Sequence, residues 1–234
     1  MTLTLAIFWI IVVSSFALLA AYYAKRANRP DAIIALYVTL VIFANLTAIK
    51  PISFNLGFTS VFAPAAVLIF AVTFLLTDVV NEKFGRKETQ KMILIALLCQ
   101  IAVSLFSVLI VRSTPAPFFA GQTAISTVLT GLPRVIIASL IAFYLSETAD
   151  AYIFAWFKKL TGGKHLWMRN VLSSLPAMLL DSIIFISLAF YGQMPLIPLI
   201  LGQTAIKWLV GVIDVPFMYV SRHILNTNTL KQLT

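Results

Sequence analysis

Seven apolar stretches, each close to the length of a bilayer-spanning helix, follow one another along the 234-residue chain. By residue number they are 3–24, 31–49, 61–80, 91–111, 133–157, 166–191 and 198–222. A helix of about 20 residues crosses the roughly 30 Å hydrocarbon core of a bilayer. Hydrophobic residues make up 61% of the chain and charged residues only 11%, which excludes an ordinary soluble domain. The sequence therefore predicts an all-α, polytopic transmembrane helical bundle.

The distribution of basic residues predicts which way this bundle is oriented. Seven crossings place thirteen of the 17 Lys and Arg residues on one side of the membrane, together with the C-terminus. Only Lys50, Arg112 and Arg134 lie on the other side, and Lys207 lies within the last apolar stretch. Cytoplasmic loops carry the excess of Lys and Arg, so we expect the N-terminus outside and the C-terminus in the cytoplasm. The net charge of +9 is accounted for by these loop clusters, and we expect no nucleic-acid partner.

Three segments outside the helix centres carry further expectations. The stretch 3–24 is longer than a signal-peptide core and its positive charges follow it, so we expect an uncleaved first helix. In the connector 50–60, apolar and polar or small residues alternate, which predicts a short extended or hairpin element. Residues 122–132, at the end of a long connector, are predicted to form an interfacial helix.

The last apolar stretch carries Lys207 near its middle and Asp214 two turns later. A charge at the bilayer centre costs at least about 2.5 kcal/mol, so it normally faces a protein interior or a wet cavity. Gln203, Lys207 and Asp214 share one helix face. Glu147 and Asp181 each lie within about three residues of the centre of their own stretch. Three helices thus offer ionisable groups at one depth, which predicts an internal polar site near the midplane.

Several of these polar residues also have purely structural interpretations. Lys207 with Asp181 or Asp214 could form an ion pair that fixes helix register. Asp78, near the end of the third stretch, is as well explained by a helix-end salt-bridge network as by a transport role. Asn45 fits equally an interhelical hydrogen bond and a ligand contact.

Aromatic, sulfur and imidazole side chains add little to the prediction of function. Aromatic residues on apolar helices mainly pack against neighbouring helices. The alternative is that some of them stack on a flat heterocyclic ligand. The residues concerned are Phe143, Tyr144, Phe154, Phe185 and Trp208. Cys99 is the only cysteine, which excludes an intramolecular disulfide. His165 and His223 have no Cys or His at ligand spacing, so we expect no metal and no cofactor.

Four blocks of sequence resemble a known family. They are 74–87 (FLLTDVVNEKFGRK), 133–139 (PRVIIAS) leading to Asp150, 180–182 (LDS), and Gly202-Gln203 followed by Lys207 and 213–216 (IDVP). Together they resemble the VUT family of queuosine precursor transporters, over about residues 45–222. The resemblance implies six core helices plus one extra N-terminal helix. It divides the chain into residues 1–30 (the extra helix and a basic cytoplasmic loop), 31–225 (the transport domain) and 226–234 (a cytoplasmic tail).

The same resemblance implies an activity. Members are expected to import a 7-deazaguanine precursor of queuosine or archaeosine, such as 7-cyano-7-deazaguanine, across the inner membrane for tRNA modification. The partners implied are a small planar purine-like substrate and the lipid bilayer, and no enzymatic activity is expected. A homodimer is compatible with the sequence.

The predicted substrate site combines the charged and amide residues of the apolar stretches with those of the matching blocks. A deazaguanine presents paired N–H donors, which a carboxylate accepts, and a carbonyl, which Lys or an amide can bind. We expect Asp181 or Glu147 at the donor edge, and Lys207 with Gln203 or Asn45 at the acceptors. The full set is Asn45, Asp78, Arg134, Glu147, Asp150, Asp181, Gln203, Lys207 and Asp214.

Two other functions remain as alternatives. One is a substrate-binding subunit of a vitamin-type uptake system, which would need a separate ATPase because this chain has no nucleotide-binding motif. The other is an intramembrane enzyme that uses Asp181 and Asp214 as an aspartyl pair. Neither Asp has the Gly-x-Gly-Asp context expected of such an enzyme.

Overall fold

A computed structural model describes residues 3–55, 59–160 and 166–226 and shows seven helices and one two-stranded sheet in this part of the chain. The elements in order are α1 (Leu3–Ala27), α2 (Asp31–Thr47), β1 (Pro51–Asn55), β2 (Ser60–Pro64), α3 (Val67–Phe84), α4 (Arg86–Arg112), α5 (Gln122–Leu160), α6 (Leu166–Phe190) and α7 (Leu196–Asn226). The predicted helical bundle is confirmed.

The lengths and surfaces of these helices are those of a multi-pass membrane protein. Ile7–Ala27, Arg86–Arg112 and Gln122–Asp150 are long and apolar enough to cross a membrane, and α2, α3, α6 and α7 contribute shorter apolar segments. Large apolar side chains remain exposed on the outer face of α4, among them Leu98, Leu105 and Leu109. An exposed apolar helix face of this kind is suited to contact with lipid. The orientation of the termini stays a prediction.

Small residues allow the helices to pack closely. Ala20, Ala21 and Ala24 of α1 are buried in a cluster shared with α2, α3 and α4. A second cluster joins α2, α5, α6 and α7, and there the rings of Phe185 and Phe190 meet edge to face with centroids 5.8 Å apart. Close backbone approach through small residues is the usual basis of helix association in membranes.

The predicted hairpin between the second and third helices is confirmed. Strands β1 and β2 pair antiparallel, with Pro51 opposite Pro64. The hairpin buries Phe54 and Ala63 in a cluster with apolar residues of α3 and α7. Residues 61–64, predicted to begin the third helix, instead belong to β2, so that boundary is wrong. A proline disfavours helical geometry in the residue before it, so Pro64 keeps Ala63 extended and α3 begins at Val67.

The predicted separate interfacial helix over residues 122–132 is also wrong. This segment continues without a break into α5, a helix of 39 residues with Pro133 inside it. At about 1.5 Å per residue, α5 is roughly 58 Å long and exceeds the bilayer core. Leu132 is fully buried, and Gly131 lies against Ile49 in the turn that follows α2. This packing holds the segment in line with the rest of α5.

Gly202 is the point where α7 meets the backbone of the hairpin. A Cβ atom at this position would lie 1.9 Å from the carbonyl oxygen of Phe62. We predict that Gly202→Ala lowers the thermal stability of the detergent-solubilised protein strongly, because backbone cannot move aside as a flexible side chain can. Gly211→Ala is the matched control, since its Cβ would meet only the Met178 Cε atom at 3.5 Å. Equal melting temperatures for the two variants would contradict this packing.

Candidate functional site

A cavity of about 670 Å³ lies within the bundle. Every helix from α2 to α7 contributes to its wall. At one end it reaches Ala66 and Val67, next to the hairpin, and at the other end it reaches the exposed side chains of Asn81 and Arg86 near the α3–α4 turn. Its volume falls within the range of about 300–1,000 Å³ that is typical of small-molecule sites.

An ion pair between α6 and α7 forms part of this wall. The Lys207 Nζ atom donates to the Asp181 Oδ2 atom, and the two side chains are only 12% and 19% exposed. One turn earlier on α7, the Gln203 Nε2 atom donates to the Ser182 hydroxyl at 3.4 Å. Lys207 is thus paired with Asp181, one of the two partners left open by the sequence. Both residues also line the cavity, so the ion pair remains accessible to a ligand.

Glu147 of α5 lines the same cavity. Within the described residues its carboxylate has no hydrogen bond or ion pair, so both oxygens are available to a ligand. Nearby, the Thr77 hydroxyl of α3 also lines the cavity and donates to the Thr73 carbonyl at 2.9 Å. Asp150, one turn further along α5, does not line the cavity, and its buried Oδ1 atom has no hydrogen-bond partner in this part of the chain.

Asn45 does not line the cavity but supports a residue that does. Its Nδ2 atom donates to the Oε1 atom of Gln100 on α4 at 2.5 Å. Gln100 is a cavity residue that the sequence analysis did not select. An amide inside the apolar stretch of the fourth helix was the signal that could have identified it, because a buried polar side chain needs a partner.

The three predicted site residues that remain are Arg134, Asp78 and Asp214. Arg134 lies outside the cavity and donates from Nε to the Leu188 carbonyl at 2.8 Å and from Nη2 to the Tyr191 carbonyl at 2.9 Å. It therefore satisfies free carbonyls at the C-terminal end of α6. Asp78 belongs to α3 and Asp214 to α7, and both side chains lie outside the described part of the structure.

Aromatic rings supply much of the apolar wall. The rings that line the cavity are those of Tyr37, Phe70, Phe74, Phe143, Tyr144 and Phe185. Trp208 is not among them, since it lies on the outer side and its Nε1 atom donates to the Leu175 carbonyl at 3.2 Å. Phe154 lies in α5, with its side chain outside the described residues. The cavity thus combines aromatic faces with a carboxylate, an ion pair and four amides.

The bundle and its cavity define an integral membrane protein with an internal cavity whose lining is partly polar and partly aromatic. A family model described as "Putative vitamin uptake transporter" matches residues 64–221. A Bacillus subtilis (strain 168) protein named "Probable queuosine precursor transporter" is 30% identical in an alignment of 183 positions that covers 76% of this chain and 78% of that protein. No solved structure matches the chain. The chain belongs to the vitamin uptake transporter family, as the sequence blocks indicated.

The ion pair makes a prediction about stability. Removing one member of a buried pair leaves an uncompensated charge, which costs about 3–5 kcal/mol. We predict that Asp181→Asn and Lys207→Met each lower the melting temperature in detergent, and that the double variant melts above either single variant. The measurement is a thermal denaturation series on purified protein. Losses that simply add in the double variant would show that the two charges do not stabilise each other.

Proposed function

We propose that this protein imports a 7-deazaguanine precursor of queuosine, such as 7-cyano-7-deazaguanine, across the cell inner membrane to supply tRNA modification. The observation that carries the proposal is the cavity, in which the Glu147 carboxylate, an ion pair and aromatic rings surround a space suited to a planar base. Family membership and the name of the Bacillus subtilis relative support this choice of substrate.

The pairing edge of the base is proposed to bind the Glu147 carboxylate. A deazaguanine carries adjacent N–H groups on this edge, and an ionised carboxylate accepts two hydrogen bonds at once. Asp181 is less suited because one of its oxygens is already bound to Lys207. Glu147 has both oxygens available within the described residues.

The remaining parts of the base match the rest of the cavity wall. Lys207 and Gln203 bring N–H donors to the α7 side, where they can bind acceptor atoms of the ring system. Phe143 and Phe185 offer aromatic faces for stacking. Interactions of this kind are strong inside a protein because water competes less well there.

A charged site inside the membrane also suits transport. Ionisable side chains are costly in the bilayer and usually mark a substrate or ion pathway. With the orientation predicted from the basic residues, Asn81 and Arg86 would lie at the cytoplasmic end of the cavity. The hairpin would then lie at the outer end, so the site would be positioned between the two sides.

The direct test is uptake in a host that can neither make nor import the base, with queuosine in tRNA as the readout. We expect the wild-type protein to restore queuosine and Lys207→Met to fail. Loss of Lys207 removes a donor and leaves Asp181 unpaired, and a buried charge left this way costs several kcal/mol. Lys91→Met is the matched control, since Lys91 is exposed, binds Glu88 at 3.4 Å and lies outside the cavity.

The possible results separate the substrate from the role of the residue. No restoration by inserted wild-type protein would contradict transport of this base by the chain acting alone. Restoration by Lys207→Met at the wild-type level would keep the transport function and contradict the proposed role of Lys207. Repeating the assay with purified protein in liposomes would test whether an ATPase partner is needed.

A further inference from the structure

Two buried amides, Asn45 of α2 and Gln100 of α4, face each other beside the cavity. Asn45 is 1% exposed and Gln100 is 5% exposed. Of the two, only Gln100 lines the cavity. An amide pair buried in a membrane protein is costly unless its polar groups are bound, so its geometry restricts what Gln100 can present to a ligand.

The hydrogen bond between them fixes the orientation of Gln100. The Asn45 Nδ2 atom donates to Gln100 Oε1, which occupies the acceptor end of the Gln100 amide. A glutamine amide has one carbonyl acceptor and one NH₂ group with two donors. Among the described residues, Gln100 Nε2 donates to no acceptor. It is not one of the fully buried atoms without a partner, so part of its surface stays accessible. The amide therefore offers the cavity a donor.

We propose that Gln100 is a specificity-determining residue of the substrate site, and that its Nε2 atom donates a hydrogen bond to the ring carbonyl oxygen of the bound base. Asn45 is the positioning residue that keeps the donor turned towards the cavity. This inference rests on the proposed function, and it goes further by assigning a second group, beside Glu147, that distinguishes a guanine-type ring from an adenine-type ring.

The physical basis of this discrimination is the fixed direction of the amide. The Lys207 ammonium rotates and has three donors, so it can bind acceptors in several positions. Because Gln100 Oε1 is bound to Asn45 Nδ2, Gln100 can turn its acceptor towards the ligand only if the Asn45 amide turns with it. A base with an amino group in place of the carbonyl would therefore set donor against donor and leave both unsatisfied. An unsatisfied buried group of this kind weakens binding by about tenfold to a hundredfold.

Equilibrium binding to the purified, full-length protein tests the proposal. The two probes are 7-cyano-7-deazaguanine and its diamino analogue, in which an amino group replaces the ring carbonyl. We expect the wild-type protein to prefer the carbonyl base by about tenfold or more. Gln100→Met, which has no donor, should lower this preference several-fold. The preference that remains comes from Glu147, because the diamino analogue also lacks the ring N–H that the carboxylate accepts. Gln193→Met is the matched control, because Gln193 is exposed in the α6–α7 turn, and it should keep the wild-type ratio.

A second variant tests the positioning role of Asn45. In Asn45→Asp the carboxylate accepts from Gln100 Nε2, which turns Oε1 towards the cavity. The preference should then shift towards the diamino analogue although Gln100 itself is unchanged. A residue that served only to hold α2 against α4 would change the stability of the protein without changing this ratio.

Each result of these binding measurements either supports or overturns the role proposed for Gln100. A wild-type protein that binds both bases equally, or a folded Gln100→Met variant with the wild-type ratio, would overturn the role of Gln100 and leave the proposed function standing. If Gln100→Met, Gln100→Leu and Asn45→Asp all failed to insert, the amides would be assigned to packing and the proposal would be overturned. A folded wild-type protein that binds neither base would overturn both proposals.

Discussion

The cost of a positive charge inside the membrane governs this structure. Lys207 lies in the middle of an apolar helix, and its pairing with Asp181 provides the compensation it needs. The pair ties α6 to α7 and fixes their relative register. Both side chains also line the cavity. The ion pair that compensates the cost of the Lys207 charge in the bilayer therefore also places a charged group where a ligand can reach it.

Elsewhere, backbone polar groups of α6 and of the hairpin find hydrogen-bond partners, which they need because unpaired polar groups are costly in a membrane. Carbonyls near the end of α6 accept hydrogen bonds from Arg134, and an earlier carbonyl of the same helix accepts one from Trp208. The hairpin pairs its own backbone and lies directly on α7 at Gly202. Non-helical backbone at membrane depth is tolerated when it is buried against protein in this way.

Much of the fold follows from the sequence by simple rules. Apolar stretches of the right length predicted the seven helices, and alternation predicted the hairpin. The start of α3 was missed although Pro64 signals it locally, through its effect on the residue before it. The continuity of α5 was missed because it depends on how Leu132 is buried in the bundle. Periodicity places residues on a helix face but does not identify the neighbouring helix. It could not choose between Asp181 and Asp214 as the partner of Lys207.

The candidate site was less predictable than the fold. Charged residues in apolar helices drew attention to Glu147, Asp181 and Lys207, which all line the cavity. Gln100 was missed because a single amide hardly alters the hydropathy of its helix. Arg134 was selected through its charge, and only its carbonyl partners show what it binds. The proposed substrate came from family resemblance, since no spacing of residues encodes a particular base.

The central claim is that the cavity is where the transported base binds, and cysteine protection tests it most directly. In a Cys99→Ser background, Ser139→Cys places a thiol on the cavity wall, and Ser113→Cys places one in the exposed turn after α4. In membrane vesicles, 7-cyano-7-deazaguanine should slow the reaction of a small thiol reagent with the first cysteine and leave the second unaffected. Equal labelling rates with and without the base at both positions would contradict the account.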